Sequence, residues 1–424
     1  MEEWRAAAFL SQLSAVPPLT RRILLADADA FYVAVARLVD PEGAGRSPLL
    51  IVGGSPQGRG VVTSASYEAR QFGVHSAMPM ARAARLCPGA MIVPVPWYAC
   101  VEKARAIRGV LKDFTPLVET ASSDEYYLDL TGTERLYHDE PLEATATRIR
   151  AAVFASTQLR VSIGGGTSKL VAKLAAGVAK PGVGEPGPGV RVVPPGSEGA
   201  FMRRFALADL PFVGPKFQER LARFNLRSVD DVLAWEQPQL VTWLGEREGE
   251  WLWERVRGID DSAVATGDDQ KSISRDETFA ADIADDAGLA RELLTLVDRA
   301  TSDLREDGLL ARTITVRIRD HDFTDRQASR TLDEPVSSER AVSRVAAALL
   351  TRLRRARRGP ARLLGVALSQ LMRADAPAQL ALLDAGTPAE TDQDRRVSDV
   401  VDQVRRKLGD DAVARGRAPR RRRR

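Results

Sequence analysis

The amino-acid sequence predicts an α+β protein of two to four domains, and three observations support this prediction. The chain has 424 residues, which is more than a single hydrophobic core normally serves. From residue 22 to about residue 181, apolar runs typical of strands alternate with amphipathic helices. Beyond a Gly/Pro-rich break at 181–189, a helical segment and then a second region of strands and helices follow.

The composition excludes several classes of protein. Cys87 and Cys100 make no disulfide framework, and three scattered histidines make no zinc site. Charged residues and paired prolines interrupt the apolar stretch of residues 1–21, so this extension resembles neither a signal peptide nor a membrane span. We therefore expect a cytoplasmic protein without membrane association.

The formal net charge of +4 says little about the folded part of the chain. Seven arginines lie in the last ten residues, and without them 54 basic residues face 57 acidic ones. Local charge is more informative, since residues 311–373 contain fourteen arginines, six acidic residues and no lysine. Such an excess of arginine favours contact with phosphates over a merely solvated surface.

The first predicted strand ends in an acidic cluster. The apolar run 23–26 leads into Asp27-Ala28-Asp29. A second cluster, Ser123-Asp124-Glu125, lies between two further strand candidates. Pairing of those strands beside the first would bring Asp27, Asp124 and Glu125 together.

Two acidic clusters at strand ends are typical of a site that holds two divalent cations beside a phosphate. The alternative is that each acid caps a helix or lies in a turn, as most single aspartates do. From the residues alone, both interpretations stay open.

Two further segments contain groups suited to a nucleoside triphosphate. The run 63–70 follows a predicted strand and opens a helix, where backbone N–H groups, the Tyr67 phenol and the Arg70 guanidinium can face a triphosphate. Lys180 ends a helix of small residues and supplies another positive charge. Neither segment is specific by itself, because such residues also serve in packing and in compensating the helix dipole.

The region after a polar linker is predicted to form a sheet with helices on one face and an open second face. In the run 313–319, isoleucine and valine alternate with threonine and arginine, which places Arg317 and Arg319 on the open face. That face suits a phosphate backbone, and the alternative is a solvated surface. The predicted βαββαβ order comprises strands at 272–279, 313–319, 326–332 and 362–371, with helices at 287–306 and 337–355.

The chain resembles the Y-family DNA polymerases from about residue 22 to residue 372. Seven segments match the family's motifs in the same order and at the same spacing, and a set of that size is highly specific. They are Asp27–Tyr32, Ser66–Val74, Ser76–Met80, Ser122–Asp129, Lys169–Ala175, Ala179–Pro181 and Lys271–Ser274.

The resemblance implies the architecture of a right hand, with a ferredoxin-like palm, small inserted fingers, a helical thumb and a βαββαβ little finger. The implied boundaries are an N-terminal extension at 1–21, a palm at 22–190 with fingers at about 40–96, a helix-hairpin-helix-like thumb at 191–258, a linker at 259–270, a little finger at 271–373 and a C-terminal tail at 374–424.

The resemblance also implies a catalytic site with two Mg²⁺ ions. Asp27 and Asp124 would bind both ions, and the carbonyl of Ala28 would complete the nucleotide-side site. Glu125 would bind the catalytic metal near the primer 3′-hydroxyl, with Asp29 in a supporting role.

By the same resemblance, the incoming nucleotide would contact Ser64, Tyr67, Arg70 and Lys180. Tyr32 would be the steric gate, an aromatic ring under the sugar that collides with a ribose 2′-hydroxyl. Without this context, Tyr32 would pass for an ordinary core aromatic residue.

Two departures from the family pattern change the expectations. Family thumb hairpins carry two glycines where this chain has Pro211-Phe212-Val213-Gly214, so Phe212 is expected to obstruct a contact between backbone N–H groups and a phosphate. Gly164-Gly165-Gly166-Thr167-Ser168 replaces a more apolar family segment and is expected to loosen the palm.

The predicted tail contains two further features. The run 379–383 resembles the peptide with which bacterial polymerases bind the sliding clamp, and Gln379, Leu380, Leu382 and Leu383 would make the contacts. Such a tether raises the local concentration of the enzyme at the primer. The arginine run 420–424 would add non-specific affinity for DNA.

The predicted function is that of an error-prone translesion DNA polymerase, which acts as a monomer on primer–template DNA and deoxynucleoside triphosphates. The alternative is a non-catalytic relative that serves as a scaffold in a mutagenesis complex. A scaffold would have lost carboxylates, whereas all three are present here. A nucleotide cyclase uses a related palm with two metals, but it would not explain the thumb and the little finger.

Overall fold

The described residues of the computed structural model form two compact units, one before position 268 and one after position 269. The predicted clamp-binding peptide and the run 420–424 lie outside the described residues, as does most of the N-terminal extension. The finer domain boundaries stay predictions. The structure describes residues 20–182, 184–267, 270–375, 389–409 and 412–413.

The first unit alternates strands and helices, as the sequence predicts. In chain order it contains β1 (Ile23–Ala28), α1 (Phe31–Val39), β2 (Leu50–Gly53), β3 (Val62–Ala65), α2 (Tyr67–Arg70), α3 (Met80–Leu86), β4 (Met91–Val93), α4 (Trp97–Lys112), β5 (Val118–Thr120), β6 (Glu125–Asp129), α5 (Leu142–Thr157), β7 (Val161–Gly166), α6 (Lys169–Ala179), β8 (Val190–Val192), α7 (Glu198–Met202), α8 (Pro215–Ala222), α9 (Val229–Leu233), α10 (Gln237–Leu244) and α11 (Glu246–Arg255).

The main sheet of this unit has the order β5–β6–β1–β7–β8, so β1 is its central strand. All six residues of β1 are buried because helices cover both faces of the sheet. Leu24, Ala26 and Ala28 pack towards α4 and α5. Ile23 and Leu25 pack on the other side, against Ala172 and Ala176 of α6. Side chains alternate between the two faces as a strand requires.

Two smaller assemblies are attached to this sheet. A second sheet with the order β3–β2–β4 has its own apolar core, which includes Met78 and Met80. The helices α7 to α11 form a cluster that also takes in Leu170, Val171 and Leu174 of α6. The helix α6 therefore packs on the central strand with one face and on the helical cluster with another.

The glycines of β7 allow this close packing. A Cβ atom on Gly164 would lie 2.0 Å from the backbone nitrogen of Ala176 and 2.1 Å from the carbonyl oxygen of Ala172. The expectation that these glycines loosen the palm is therefore wrong at Gly164, where the absence of a side chain lets α6 approach the sheet.

The second unit confirms the predicted βαββαβ order, with strands longer than the sequence predicts. Its sheet has the order β11–β10–β12–β9. Ile314, Val316 and Ile318 are buried beneath the helices, as their alternation predicts. The elements are β9 (Ser272–Ile283), α12 (Asp286–Glu306), β10 (Leu309–Asp320), β11 (Asp325–Val336), α13 (Glu339–Ala356) and β12 (Ala361–Arg373).

A further helix, α14 (Asp392–Leu408), lies in the region where only a C-terminal tail was expected. Thr391 and Asp394 form a capping box at its start. The helix attaches to the unit through ion pairs, namely Arg305 with Asp402 at 2.7 Å and Arg405 with Asp298 at 2.9 Å. Val397 and Val400 stay exposed, so apolar burial contributes little to this attachment.

None of the helices in the described part of the chain combines the length and apolar character needed to cross a membrane.

Gly164→Ala is expected to lower the free energy of unfolding by about 3 kcal/mol, because the added methyl group meets helix backbone that cannot move cheaply. Gly177→Ala is the matched control on α6. Nothing lies within 4 Å of the added carbon there, and alanine favours the helix, so stability is expected to rise by about 0.5–1 kcal/mol. Urea unfolding measures both changes, and a Gly164→Ala variant as stable as the parent would contradict the packing argument.

Candidate active site

The end of the central strand β1 carries a buried carboxylate. Asp27 is only 6% exposed and lies opposite Glu125 of β6 on one side and Ser162 of β7 on the other. The backbone N–H of Ala28 donates to the carbonyl of Asp124 at 2.9 Å. The strand pairing thus brings the two acidic clusters together, as the sequence predicts.

The second cluster is shaped by a serine turn. The Ser122 hydroxyl donates to Oδ1 of Asp124 at 2.6 Å, and the backbone N–H of Glu125 donates to the Ser122 hydroxyl at 3.1 Å. This turn directs Asp124 towards its own loop, whereas Glu125 begins β6 beside Asp27.

Two lysines of one helix segment neutralise these acids. Nζ of Lys173 lies 2.8 Å from both carboxylate oxygens of Glu125. Nζ of Lys180, which directly follows α6, lies 2.7 Å from Oδ2 of Asp27. Both acids therefore already have a cation beside them.

This arrangement bears on the predicted metal site. Within the described ranges, no three His, Cys, Asp or Glu side chains converge on a common point that could hold a metal ion. Asp27 and Glu125 point to lysines and Asp124 to a serine, which limits the repulsion between the three acids. Their chemistry nevertheless fits Mg²⁺, because all are hard oxygen donors on neighbouring backbone segments.

Burial sets the electrostatics of the first cluster. Desolvation raises the pKa of Asp27 to about 6, although the Lys180 ammonium opposes this shift, and Glu125 and Asp124 add to it. Burial also raises the pKa of Asp29, against a hydrogen bond of 2.7 Å that the Ser162 hydroxyl donates to Oδ1. Asp29 thus accepts a hydrogen bond, in keeping with the supporting role assigned to it.

Of the predicted triphosphate contacts, Ser64, Tyr67 and Arg70 lie on or next to the second sheet, whereas Lys180 follows α6 beside Asp27. Burial raises the pKa of Tyr67 to about 12, and the charges of Asp29 and Asp27 contribute, so its phenol lies near the acidic strand end. The guanidinium of Arg70 lies 4.9 Å from the centre of the Tyr67 ring. Ser64 lies buried within β3. No contact of Ser64 with the other site residues is seen within the described chain.

Tyr32 is fixed by contacts on two sides. Its hydroxyl forms a hydrogen bond of 2.9 Å with the hydroxyl of Ser123, and its ring meets that of Trp97 edge to face at 6.0 Å. Beside it lies a cavity of about 180 Å³, lined also by Cys100 and Val101. The ring thus has a defined position next to the loop that carries Asp124.

The two arginines predicted to bind DNA lie on the open sheet face, but both are paired. Arg317 lies 3.2 Å from Asp325, and Arg319 donates to both oxygens of the same carboxylate at 2.8 and 2.7 Å. The remainder of this face is rich in hydroxyl groups, for example in the Thr315–Ser329 pair at 2.8 Å. The basic character predicted for the face is therefore largely neutralised.

Phe212 adopts a conformation that favours glycine. Its φ angle is 70°, and the side chain is 90% exposed on the turn before α8. At the hairpin where the family pattern has a glycine, this chain thus places a phenylalanine in the left-handed region.

The contact made by Lys173 was not predicted from the sequence. A signal for it was present, because Lys169, Lys173 and Lys180 are four and seven residues apart and share one helix face. Lys169 continues this row with Nζ 2.6 Å from Glu119.

Models of known protein families match most of the chain. The model of the impB/mucB/samB family matches residues 26–177, and that of its C-terminal domain matches residues 270–382. Between them, a model described as the thumb domain of DNA polymerase-iota matches residues 208–260.

Several relatives are similar over most of the chain. A DNA polymerase IV of Halorhodospira halophila is 38% identical over 83% of this chain and 95% of the relative. A DNA polymerase IV of Dehalococcoides mccartyi is 34% identical over 94% of this chain and 97% of the relative.

Solved structures show the same fold. A Y-family DNA polymerase chimera, Dbh-Dpo4(243-245)-Dbh, aligns with a TM-score of 0.72 at 22% identity, covering 83% of this chain and 99% of that chain. An insertion ternary complex of Dbh DNA polymerase aligns with a TM-score of 0.58 at 22% identity, covering 83% and 99%. With its strand-end carboxylates, its matching family models and these extended similarities, the chain belongs to the Y family of DNA polymerases, among relatives of the DNA polymerase IV type.

Proposed function

We propose that this chain is a template-directed, error-prone translesion DNA polymerase, which adds deoxynucleotides to a primer 3′-end. The observation that carries the proposal is the pairing of Asp27 with Glu125 across neighbouring strands, with Asp124 in the adjoining loop. The relatives named DNA polymerase IV, which align over most of the chain, support the same activity.

Asp27, Asp124, Glu125 and the carbonyl of Ala28 would hold two Mg²⁺ ions. Bound there, the ions would supply Lewis acidity to the primer hydroxyl and charge neutralisation to the phosphates. The protein's own part is to keep the acids ionised and close together until the ions arrive.

Lys180 and Lys173 perform that part. Each ammonium lies within 2.8 Å of a carboxylate and offsets the cost of burying it. A side chain as flexible as lysine can leave Asp27 when a cation takes its place, and the freed ammonium of Lys180 is then available to a phosphate. In this way Lys180 serves the empty site and the nucleotide-bound site in turn.

Tyr67 and Arg70 provide neutral and charged donors for the triphosphate. Because its pKa is about 12, the Tyr67 phenol keeps its proton at neutral pH and donates it to a phosphate oxygen. The Arg70 guanidinium donates through Nε to the carbonyl of Ala65 at 3.0 Å, which leaves its terminal nitrogens for phosphate.

Other parts of the proposal rest on the sequence and the family. The primer–template would lie along the open face of β10, with Arg317 and Arg319 shared between Asp325 and DNA phosphates. Residues 379–383 would bind the sliding clamp, and the protein would act as a monomer in the cytoplasm.

Primer extension with Mg²⁺ tests the central proposal. Asp124→Asn and Glu125→Gln are each expected to lower the rate of nucleotide addition by about 100-fold or more, because each removes a charged metal ligand. Glu143→Gln, an exposed change of the same kind on α5, serves as the control and should leave the rate unchanged. A parent protein without template-dependent extension would favour a scaffold, and full activity of both variants would remove the proposed site.

Tyr32→Ala is expected to reduce discrimination against ribonucleotides by about 10-fold or more, because the ring that collides with the 2′-hydroxyl is lost. Tyr32→Phe keeps the ring and should keep most of the selectivity. Single-nucleotide incorporation with matched ribo- and deoxynucleotides measures this ratio. Equal sugar selectivity in the parent and Tyr32→Ala would speak against the assignment of the gate.

Stability without divalent metal should depend on the charge of Asp27. Its pKa is raised in the folded state to about 6, so ionised Asp27 destabilises the fold above pH 6, and the penalty disappears as the pH falls towards 4. Asp27→Asn should therefore stabilise the protein more at pH 8 than at pH 4.5, by roughly 1–3 kcal/mol. Urea unfolding in EDTA measures the difference, and the same effect at both pH values would contradict the assigned shift.

A further inference from the structure

Four of the seven arginines in residues 311–373 that form no ion pair with a described residue lie on or just after the helix α13. Of the fourteen arginines in residues 311–373, seven form ion pairs with carboxylates, including Arg317 and Arg319 on the open sheet face. On and just after α13, four exposed arginines make no ion pair with any described residue. We call Arg344, Arg352, Arg355 and Arg358 the arginine ridge.

The helix geometry aligns the ridge. Arg344 and Arg355 are eleven residues apart, which places them about 20° apart around the helix and roughly 16 Å apart along it. Arg352 lies about 60° to one side of Arg355. The exposed positions between them are the small residues Ala347, Ala348 and Thr351, so the outward face of α13 carries no carboxylate.

One carboxylate approaches the edge of the ridge. Hydrogen bonds from Thr391 hold the pKa of Asp394 below its usual value, and the charges of Arg340 and Arg344 contribute. The ion pair of Asp394 is made with Arg340, at 3.3 Å. Arg352, Arg355 and Arg358 have no such neighbour within the described ranges.

The ridge lies on the layer opposite to the open sheet face. Ile314, Val316 and Ile318 of β10 point towards the helices, whereas Arg317 points away from them. A helix layer about 10 Å thick therefore separates the two surfaces. A short duplex on the sheet face cannot also reach the ridge.

We propose that the arginine ridge is a second DNA-binding surface, which holds the phosphates of a DNA segment other than the one at the open sheet face. The inference rests on the proposed function only in that the protein works on DNA. Guanidinium groups bind phosphates in a bidentate manner. A ridge of roughly 16 Å is long enough to contact several phosphates of one DNA strand.

Two alternatives fit the ridge less well. Arginines near a helix C-terminus compensate the dipole, but Arg326 already donates to the carbonyl of Leu353 in the last turn of α13, and Arg344 lies three turns earlier. An acidic protein partner would need aromatic or aliphatic anchors at the centre of its interface. The centre of the ridge offers only alanine and threonine, over which a phosphate chain can approach closely.

The test compares the full chain with a triple variant, Arg344→Gln, Arg352→Gln and Arg355→Gln. Binding of a short blunt DNA duplex is followed by sedimentation velocity and by anisotropy at several salt concentrations. The parent should bind two duplexes, the weaker of them with a strong salt dependence. The triple variant should bind one duplex. For the binding event that is lost, the slope of the logarithm of the binding constant against the logarithm of the salt concentration should correspond to about one phosphate contact per arginine.

Two further variants separate charge from structure. Replacing the same three arginines by lysine keeps the charge and should keep the second duplex. Ala348→Glu places an acid four residues from both Arg344 and Arg352 and should abolish the second duplex without removing any arginine.

Primer extension on a short primer–template distinguishes failure of this inference from failure of the polymerase assignment. All ridge variants should extend primers like the parent. An unchanged number of bound duplexes in the glutamine variant overturns the inference. The inference is also overturned if the ridge variants lose extension of the short primer–template in parallel with DNA binding, because the ridge would then belong to the primer–template surface.

Discussion

The structure of the first unit depends on burying acids at the end of a central strand. Asp27 is desolvated on a strand covered by helices on both faces, and this environment disfavours its charge. Lys173 of α6 and Lys180, which directly follows α6, supply positive charge beside the buried acids. They reach the acids because Gly164 lets α6 lie directly on the sheet. The strand order and the close approach of α6 thus together place the lysines beside the buried carboxylates and stabilise their charge.

The features predicted correctly from the sequence are those that follow from local periodicity, namely buried strand positions and strand ends. The alternation in 313–319 placed Ile314, Val316 and Ile318 in the core, and the apolar runs before both acidic clusters placed the acids at strand ends. Pairings between distant side chains were not predicted, because the lysine spacing indicates a basic helix face but does not specify Glu125 as the partner of Lys173. The helix at 392–408 was missed since its buried residues are polar.

The distribution of charge shows why counting residues along the chain is insufficient. The arginine excess of residues 311–373 suggested a basic sheet face, yet Asp325 neutralises Arg317 and Arg319 there. Four of the seven arginines in this range that form no ion pair with a described residue lie instead on or just after α13. Only the fold decides which charges meet a carboxylate and which meet solvent, since residues paired in space are often far apart in sequence.

The attachment of α14 has a consequence for how the second unit comes apart. Its buried side chains are Asp394, Ser398 and Arg405, and its contacts with α12 are arginine–carboxylate pairs. These ion pairs are largely shielded from solvent, with side-chain exposures of 9–22%, so salt screens them little and their contribution depends on both partners being present. We therefore expect α14 to detach when one partner of such a pair is lost, while the sheet and its two packed helices stay folded.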